Sequence, residues 1–224
     1  NAEASLEDPK RFFKNNLNGT KLALEICSEK GLRLIFPSST SIYGTSESSV
    51  DEENNKYINP QSPYAECKVE EEALIQESAL EDSVILRLGT IFGVSPGMRF
   101  HTAVNKFCWQ AVMQLPITVW KTALHQHRPY LEINDACRAI LFFLIKDTAK
   151  PSIYNVNTSN FTVSEIIENI KMYINNIDIE FVESKIMNQL SYHVLNQKLI
   201  DLGFKFEGSL DKGISDTINW FKKE

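Results

Sequence analysis

The sequence predicts an α/β fold built on a parallel sheet. Three observations predict it. Helical stretches alternate with short apolar runs from residue 9 to residue 88, in the order helix, strand, helix, strand. The two runs, residues 32–36 and 83–88, are almost continuously apolar, as in strands covered on both faces and joined by right-handed crossovers. Loops rich in glycine, serine and proline follow their carboxyl ends, where open α/β sheets place ligands.

Each element has a local cause. Asp8-Pro9 reads as an N-cap with proline at the first helical position, and Phe12, Phe13, Leu17, Leu22, Leu24 and Ile26 carry the helix on to Gly31. Residues 32–36 form a buried strand bounded by glycine and proline. Residues 37–61 are polar and turn-rich, with 47–56 expected as a solvated surface loop. Ser62-Pro63 starts a helix reaching about residue 79, and 83–88 is the next strand. A glycine-rich loop fills 89–100, then a helix over 102–113 and a short strand over 117–120. Residues 128–133 are extended, and Asn134 or Asp135 caps a helix to about 145. A strand at 152–156 precedes a helix capped by Thr162 or Ser164 and running to about 174. Residues 177–182 form a strand, and two short helices, 193–202 and 209–221, close the chain.

Bulk properties exclude several classes. The chain has 224 residues, 43% of them apolar, and a net charge of −6, enough for a sizeable core and ordinary for a soluble globular protein. No basic cluster exceeds a few residues, which argues against nucleic acid or an anionic membrane as a partner. No apolar run approaches the roughly 18 residues of a membrane-spanning helix. Cys27, Cys67, Cys108 and Cys137 form no Cys-x-x-Cys, so neither a disulfide framework nor a zinc site is expected, and the cytosol fits best. Cys27 and Cys137 read as small buried hydrophobes. His125 and His127 flank Gln126 without a carboxylate or cysteine nearby in sequence and read as loop histidines, with no metal expected. The chain opens Asn1-Ala-Glu-Ala-Ser5, without an initiator Met and just before a helix signal, so further residues are expected upstream.

The chemistry concentrates in Ser38-Ser-Thr-Ser-Ile-Tyr-Gly44 and Ser62-Pro-Tyr-Ala-Glu-Cys-Lys68. Tyr64 and Lys68 are four apart and share a helical face. Of the seven tyrosines, Tyr64 alone has a lysine at the fourth position on. A free phenol, with a pKa near ~10, is a poor base at neutral pH, and a nearby ammonium favours the phenolate. A hydroxyl such as Ser39 can bind the same substrate oxygen. That set suits general acid–base work on a carbinol that becomes a carbonyl as a hydride leaves. No side chain accepts a hydride, so a nicotinamide cofactor is implied. Tyr-x-x-x-Lys by itself is also what a solvated helix pair looks like.

Five segments in order resemble the extended short-chain dehydrogenase/reductases, in the NAD-dependent epimerase/dehydratase group acting on nucleotide sugars. They are Asp8 to Thr20, Ser38 to Gly44, Ser62 to Lys68, Arg87-Leu-Gly-Thr-Ile-Phe-Gly93 and Arg128-Pro-Tyr-Leu-Glu-Ile-Asn-Asp135. The resemblance implies the C-terminal part of a Rossmann-type parallel sheet, over 1–93 and 128–160, with a smaller α/β substrate domain over 94–127 and 161–224. It implies Ser39, Tyr64 and Lys68 as catalytic residues, with Ser38, Tyr64, Lys68 and Leu88 toward the cofactor, NAD or NADP. Arg128 would face the diphosphate of a nucleotide-diphosphate sugar, where a planar guanidinium fork fits. Asn16, Thr90 and Asn105 would line the substrate or cofactor. Phe12, Phe13 and Leu74 would then face a partner in a homodimer, since relatives pair the helices at 9–30 and 62–79 into a four-helix bundle.

Departures from the family pattern refine this. Relatives that dehydrate sugars carry an Asp-Glu pair after the strand-end hydroxyl, where this chain has Thr40 and Ser41, which argues against that elimination. Thr90 stands where many relatives have asparagine, and Cys67 where serine is common. The family's opening strand, Gly-x-x-Gly-x-x-Gly turn and helix has no counterpart here; Gly89, Gly93 and Gly97 have another spacing and follow a later strand. The expected activity is an NAD-dependent 4-epimerisation of a nucleotide sugar. The alternatives are a reductase or dehydrogenase of a small carbonyl, or a non-catalytic relative that senses NAD(P).

Overall fold

The computed structural model describes residues 4–44, 49–146, 151–183 and 192–223. Helix α1 (Pro9–Lys30) starts where Asp8 accepts from the Arg11 N–H and stops at Gly31, left-handed at φ 61°. It leads into β1 (Leu34–Ser39) and a 3₁₀ turn, Thr40–Tyr43. After β2 (Ser49–Val50) comes α2 (Pro63–Glu77), opened by Ser62 accepting from Ala65 N–H. Then follow β3 (Ser83–Leu88), β4 (Thr90–Phe92), α3 (Ala103–Val112), β5 (Ile117–Trp120) and β6 (Arg128–Glu132). The chain ends with α4 (Ile133–Ile145), β7 (Ser152–Val156), β8 (Ser159–Phe161), α5 (Val163–Lys171), β9 (Ile179–Val182), β10 (His193–Val194), α6 (Gln197–Asp201) and α7 (Leu210–Phe221).

The main sheet is parallel, in the order β1-β3-β7. Side chains alternate across it, as the two-residue period of a strand demands. Phe36, Ile85 and Ile153 pack with Leu24 of α1 and Ile75 of α2 on one face. Ile35, Val84, Leu86, Tyr154 and Val156 pack with Ala136, Ala139 and Phe143 of α4 on the other. Helices cover both faces, which explains why the strands read as nearly unbroken apolar runs. A second core joins α3, α5 and α7 around Phe107, Ile117, Ile166, Ile214 and Ile218. Smaller sheets, β4-β6-β8 and β5-β9, lie alongside it.

Several expectations change. The span 47–56 is not simply a solvated loop. Residues 45–48 lie outside the described residues, but β2 pairs with β10, Val50 is buried, and Glu52 is buried with both carboxylate oxygens accepting from Asn155. The expected helix 193–202 splits into β10 and the short α6, because residues 193–194 are taken by that pairing. Neither Asn134 nor Asp135 caps α4; Glu132 does, its carboxylate accepting from both of their N–H groups. Residues 90–92 form a strand inside the predicted loop, paired with β6, and β8 was not foreseen. Cys137 is exposed and Cys27 half-buried, because their helix faces turn outward, whereas Cys67 and Cys108 are buried.

Candidate active site

β1 and β3 run in register, so that Ser39 stands opposite Leu88 at their carboxyl ends. A cavity of about 1030 Å³ opens there. Its wall includes Ser39, Tyr64, Lys68 and Leu88 on the main-sheet side, and Arg99, Asn105, Lys106, Thr118 and Trp120 on the other. Arg128 and Thr90 also line it. Every sequence-predicted site residue reaches this one cavity.

Tyr64 sits in the first turn of α2. Its N–H is capped by the Ser5 hydroxyl, and its ring meets Phe12 edge-on at 6.2 Å. Lys68, one turn on, is largely buried. Its ammonium pairs with Glu71 at 3.0 Å and lies 4.4 Å from the centre of the Phe36 ring. Thr20 of α1 donates to the other Glu71 oxygen at 2.7 Å. The Lys68 ammonium is thus pinned from α1, α2 and β1. Ser39 caps the 3₁₀ turn, its hydroxyl accepting from Ser41 N–H, so the turn fixes the side chain's direction.

Behind the site lies a buried ionic network. Arg87 forks onto Glu72, and Ser38 donates to Glu72 as well. Arg87 also donates to the Tyr43 hydroxyl, which donates in turn to Asn155. Burial would lower the Arg87 guanidinium, but Glu72 outweighs it and holds the group above the ordinary arginine value. Burial pushes the Tyr43 phenol up to about 12 despite Arg87, and the Tyr130 phenol in the cavity wall to about 12 as well. Both stay protonated at neutral pH and neither can act as a base.

Three predicted contacts come out differently in detail. The Ser38 hydroxyl is spent on Glu72, which leaves its main chain for the cavity. The Asn105 amide is buried and committed, Oδ1 accepting from Gly93 N–H and Nδ2 donating to Arg99 O; it shapes the loop before α3. The Asn16 amide donates to its own helix at Phe12 O. The Arg128 guanidinium lies over the Tyr192 ring at 5.2 Å.

A profile of the NAD-dependent epimerase/dehydratase family matches residues 1–157. The chain belongs to that family. Among curated members, it is 26% identical to a dTDP-D-glucose 4,6-dehydratase of Dictyostelium discoideum, over 95% of this chain and 60% of the relative. It is 28% identical to an ADP-L-glycero-D-manno-heptose-6-epimerase of Brachyspira hyodysenteriae, over 78% of this chain and 57% of the relative. Among solved structures it superposes on a UDP-glucose 4-epimerase of Thermus thermophilus in complex with NAD. That match has a TM-score of 0.84 and 25% identity, and covers 99% of this chain and 74% of the other. The chain spans about three-fifths of the length of these curated relatives.

Sequence reasoning singled out neither Thr102, whose Oγ1 is buried in the cavity wall without a hydrogen-bond partner among the described residues, nor Lys106 and Arg99, which bring positive charge to the far wall. Ser41, inside the Ser38–Gly44 segment, has its Oγ buried in the wall likewise without a partner among the described residues. No short motif marks Thr102, Lys106 or Arg99, which lie on α3 and the loop before it.

Proposed function

We propose that this chain carries the catalytic and substrate-binding residues of an NAD-dependent nucleotide-sugar 4-epimerase. The observation that carries this reading is the composition of the cavity wall. Ser39, Tyr64 and Lys68 share it, and no Asp or Glu lines it among the described residues. Eliminating water from a sugar needs an acid and a base of its own, and the hydroxyls of Thr40 and Ser41 supply neither. The Thr40 hydroxyl is in any case donated to Leu88 O. This speaks for epimerisation even though several of the similar curated proteins are 4,6-dehydratases or include that activity.

Tyr64, as phenolate, takes the proton of the sugar hydroxyl, and Ser39 donates to the same oxygen to hold it in line. Lys68 stabilises the phenolate by charge, with its position fixed by Glu71. NAD, when bound, supplies the hydride acceptor. Lys68, Leu88 and the Ser38 main chain fit its nicotinamide ribose end, at the carboxyl ends of β1 and β3. The Gly-x-x-Gly-x-x-Gly cradle for its pyrophosphate is not among these 224 residues. Arg128 serves the substrate diphosphate.

We divide the chain into a cofactor-binding part, 1–93 and 128–160, and a substrate-binding part, 94–127 and 161–224, although Phe92 and Tyr130 pack into the second core and Leu199 and Phe204 into that of the main sheet. No helix among the described residues is long and apolar enough to cross a membrane. A cytoplasmic location is part of the same proposal and rests on the four free cysteines. Phe12, expected at a dimer face, lines the cavity against Tyr64, and Phe13 and Leu74 are only half-buried; Leu22 and Ile26 are exposed on α1, beside α2, and a homodimer through these helices remains part of the proposal.

The test is a proton NMR assay with UDP- and dTDP-hexoses and added NAD. The expected product is the 4-epimer without net NADH, lost about 10²–10⁴-fold in Tyr64→Phe, from a preparation of dimeric mass. A 4-keto-6-deoxy product, or net NADH without epimer, would overturn the reading.

A further inference from the structure

The lysine beside Tyr64 does not stand as a free positive charge. The Lys68 side chain is 13% exposed and that of Glu71 4%, and their ammonium and carboxylate are 3.0 Å apart. One Glu71 oxygen accepts from the Thr20 hydroxyl of α1 at 2.7 Å. The other, Oε2, is buried, meets the Lys68 ammonium, and has no hydrogen-bond partner besides it among the described residues. On its other side the ammonium meets the Phe36 ring of β1, 4.4 Å away. Glu72, next in sequence, is taken by Arg87.

On a solvated helix face a pair at this spacing changes little, because water screens both charges. Here both partners are buried, where a charge acts with a longer reach. Tyr64, Lys68 and Glu71 follow one stripe of α2, so the phenol meets the field of a dipole and not of a lone cation. The ammonium is the nearer end, and the net field still favours the phenolate, but by less. The proposed epimerisation makes two demands on Tyr64. It takes the proton of the sugar hydroxyl, and it gives that proton back to the same oxygen. An unopposed ammonium favours the first and hinders the second, whereas an acid–base group works best when neither form is strongly preferred at the working pH.

We propose that Glu71 is a positioning residue that tempers Lys68, so that the Lys68–Glu71 pair, and not the lysine alone, sets how readily Tyr64 parts with its proton. This rests on Tyr64 acting as the acid–base group of the proposed reaction. The other charged or titratable groups facing the cavity are Arg99, His101, Lys106 and Arg128, all basic and all from other elements. They add to the effect of Lys68, and Glu71 is the carboxylate that opposes it.

The experiment follows the Tyr64 phenol by tyrosinate absorbance over a pH titration without cofactor, as the difference between each protein and the same protein carrying Tyr64→Phe. Glu71→Gln keeps the shape of the side chain and a hydrogen bond to Thr20. It should lower the Tyr64 midpoint by about one pH unit, which is about tenfold more phenolate at a given pH below it. Glu71→Asp keeps the charge and should move the midpoint by less than about half of that. The double variant Lys68→Met, Glu71→Gln leaves no buried charge unpaired, so it decides the matter where the single variant fails to fold. Because it removes a dipole, it should raise the midpoint by less than about half a pH unit. An unchanged midpoint in Glu71→Gln overturns the inference and reduces Glu71 to a contact between helices. A raised midpoint overturns it too, since Glu71 would then serve to keep Lys68 charged. So does a rise of about one pH unit or more in the double variant, because Lys68 would then act as a lone charge. Epimer formation with any of these three results leaves the 4-epimerase reading standing. A lowered midpoint in Glu71→Gln with no epimer formed overturns that reading and leaves the charge pairing standing.

Discussion

Replacing Glu72 by glutamine should unfold this protein more readily than any surface change. Glu72 lies two turns beyond Tyr64 and one beyond Lys68, on the same stripe of α2. Its carboxylate accepts from Arg87 Nε at 3.1 and 3.2 Å and from Arg87 Nη2 at 2.7 Å, and the Ser38 hydroxyl donates to it too. The two side chains are 2% and 3% exposed. In Glu72→Gln the guanidinium stays buried without its counter-charge. Breaking a pair of this kind costs about 3–5 kcal/mol, against a total stability of about 5–15 kcal/mol for an ordinary domain. The double variant Glu72→Leu, Arg87→Met removes both charges and leaves only the Ser38 and Tyr43 hydroxyls short of a partner, and Tyr43 still donates to Asn155. It should cost roughly 1–3 kcal/mol, less than Glu72→Leu or Arg87→Met alone, each of which leaves one buried charge unpaired. Urea unfolding followed by circular dichroism gives the three free energies. A single-variant loss below about 1 kcal/mol, the range of a solvated pair, would refute the reasoning. So would a double variant as costly as the two singles summed.

Two further outcomes follow from the geometry. Gly44→Ala puts a Cβ 1.8 Å from Asn59 O at a backbone φ of 60°, so strain and overpacking together should cost about 3 kcal/mol or more, read as a fall in melting temperature. Glu165 closes a capping box with Thr162, and hydrogen bonds from the Thr162 N–H first, then its hydroxyl, hold its carboxyl below the usual range even against burial. A depressed carboxyl contributes stability above its unfolded pKa, near ~4.3. Glu165→Ala should therefore cost about 0.5–1 kcal/mol at pH 7, at the low end because the side chain is exposed, and the cost should fade as pH drops through the depressed value. A cost that does not change between pH 7 and pH 3 would count against the capping box.

Much of the fold was legible because it rests on local causes. Asp8-Pro9, Ser62-Pro63, Thr162 and Ser209 mark helix starts by the chemistry of their own side chains, and each caps its helix. Residues 83–88 and 152–156 were readable as strands for the same reason that they are buried on both faces. The short pairings β2–β10, β4–β6 and β6–β8 were not, since a strand of two or three residues has no period to detect. The cap of α4 was misplaced because two good capping residues, Asn134 and Asp135, sit just after the glutamate that does the work.

The sequence by itself determined the Tyr64 end of the cavity. Tyr64 and Lys68 are set four residues apart on a proline-led helix, Ser39 ends an apolar strand, and these local spacings survive any packing that keeps α2 against β1. Only the tertiary structure decided the other end. Lys106 meets Thr118, Asn105 clamps Arg99, and Arg128 reaches the same cavity because α3, β5 and β6 fold over the strand ends. These residues are far from Tyr64 in sequence, and the sign of the wall they make together is a property of the packed chain rather than of any one segment.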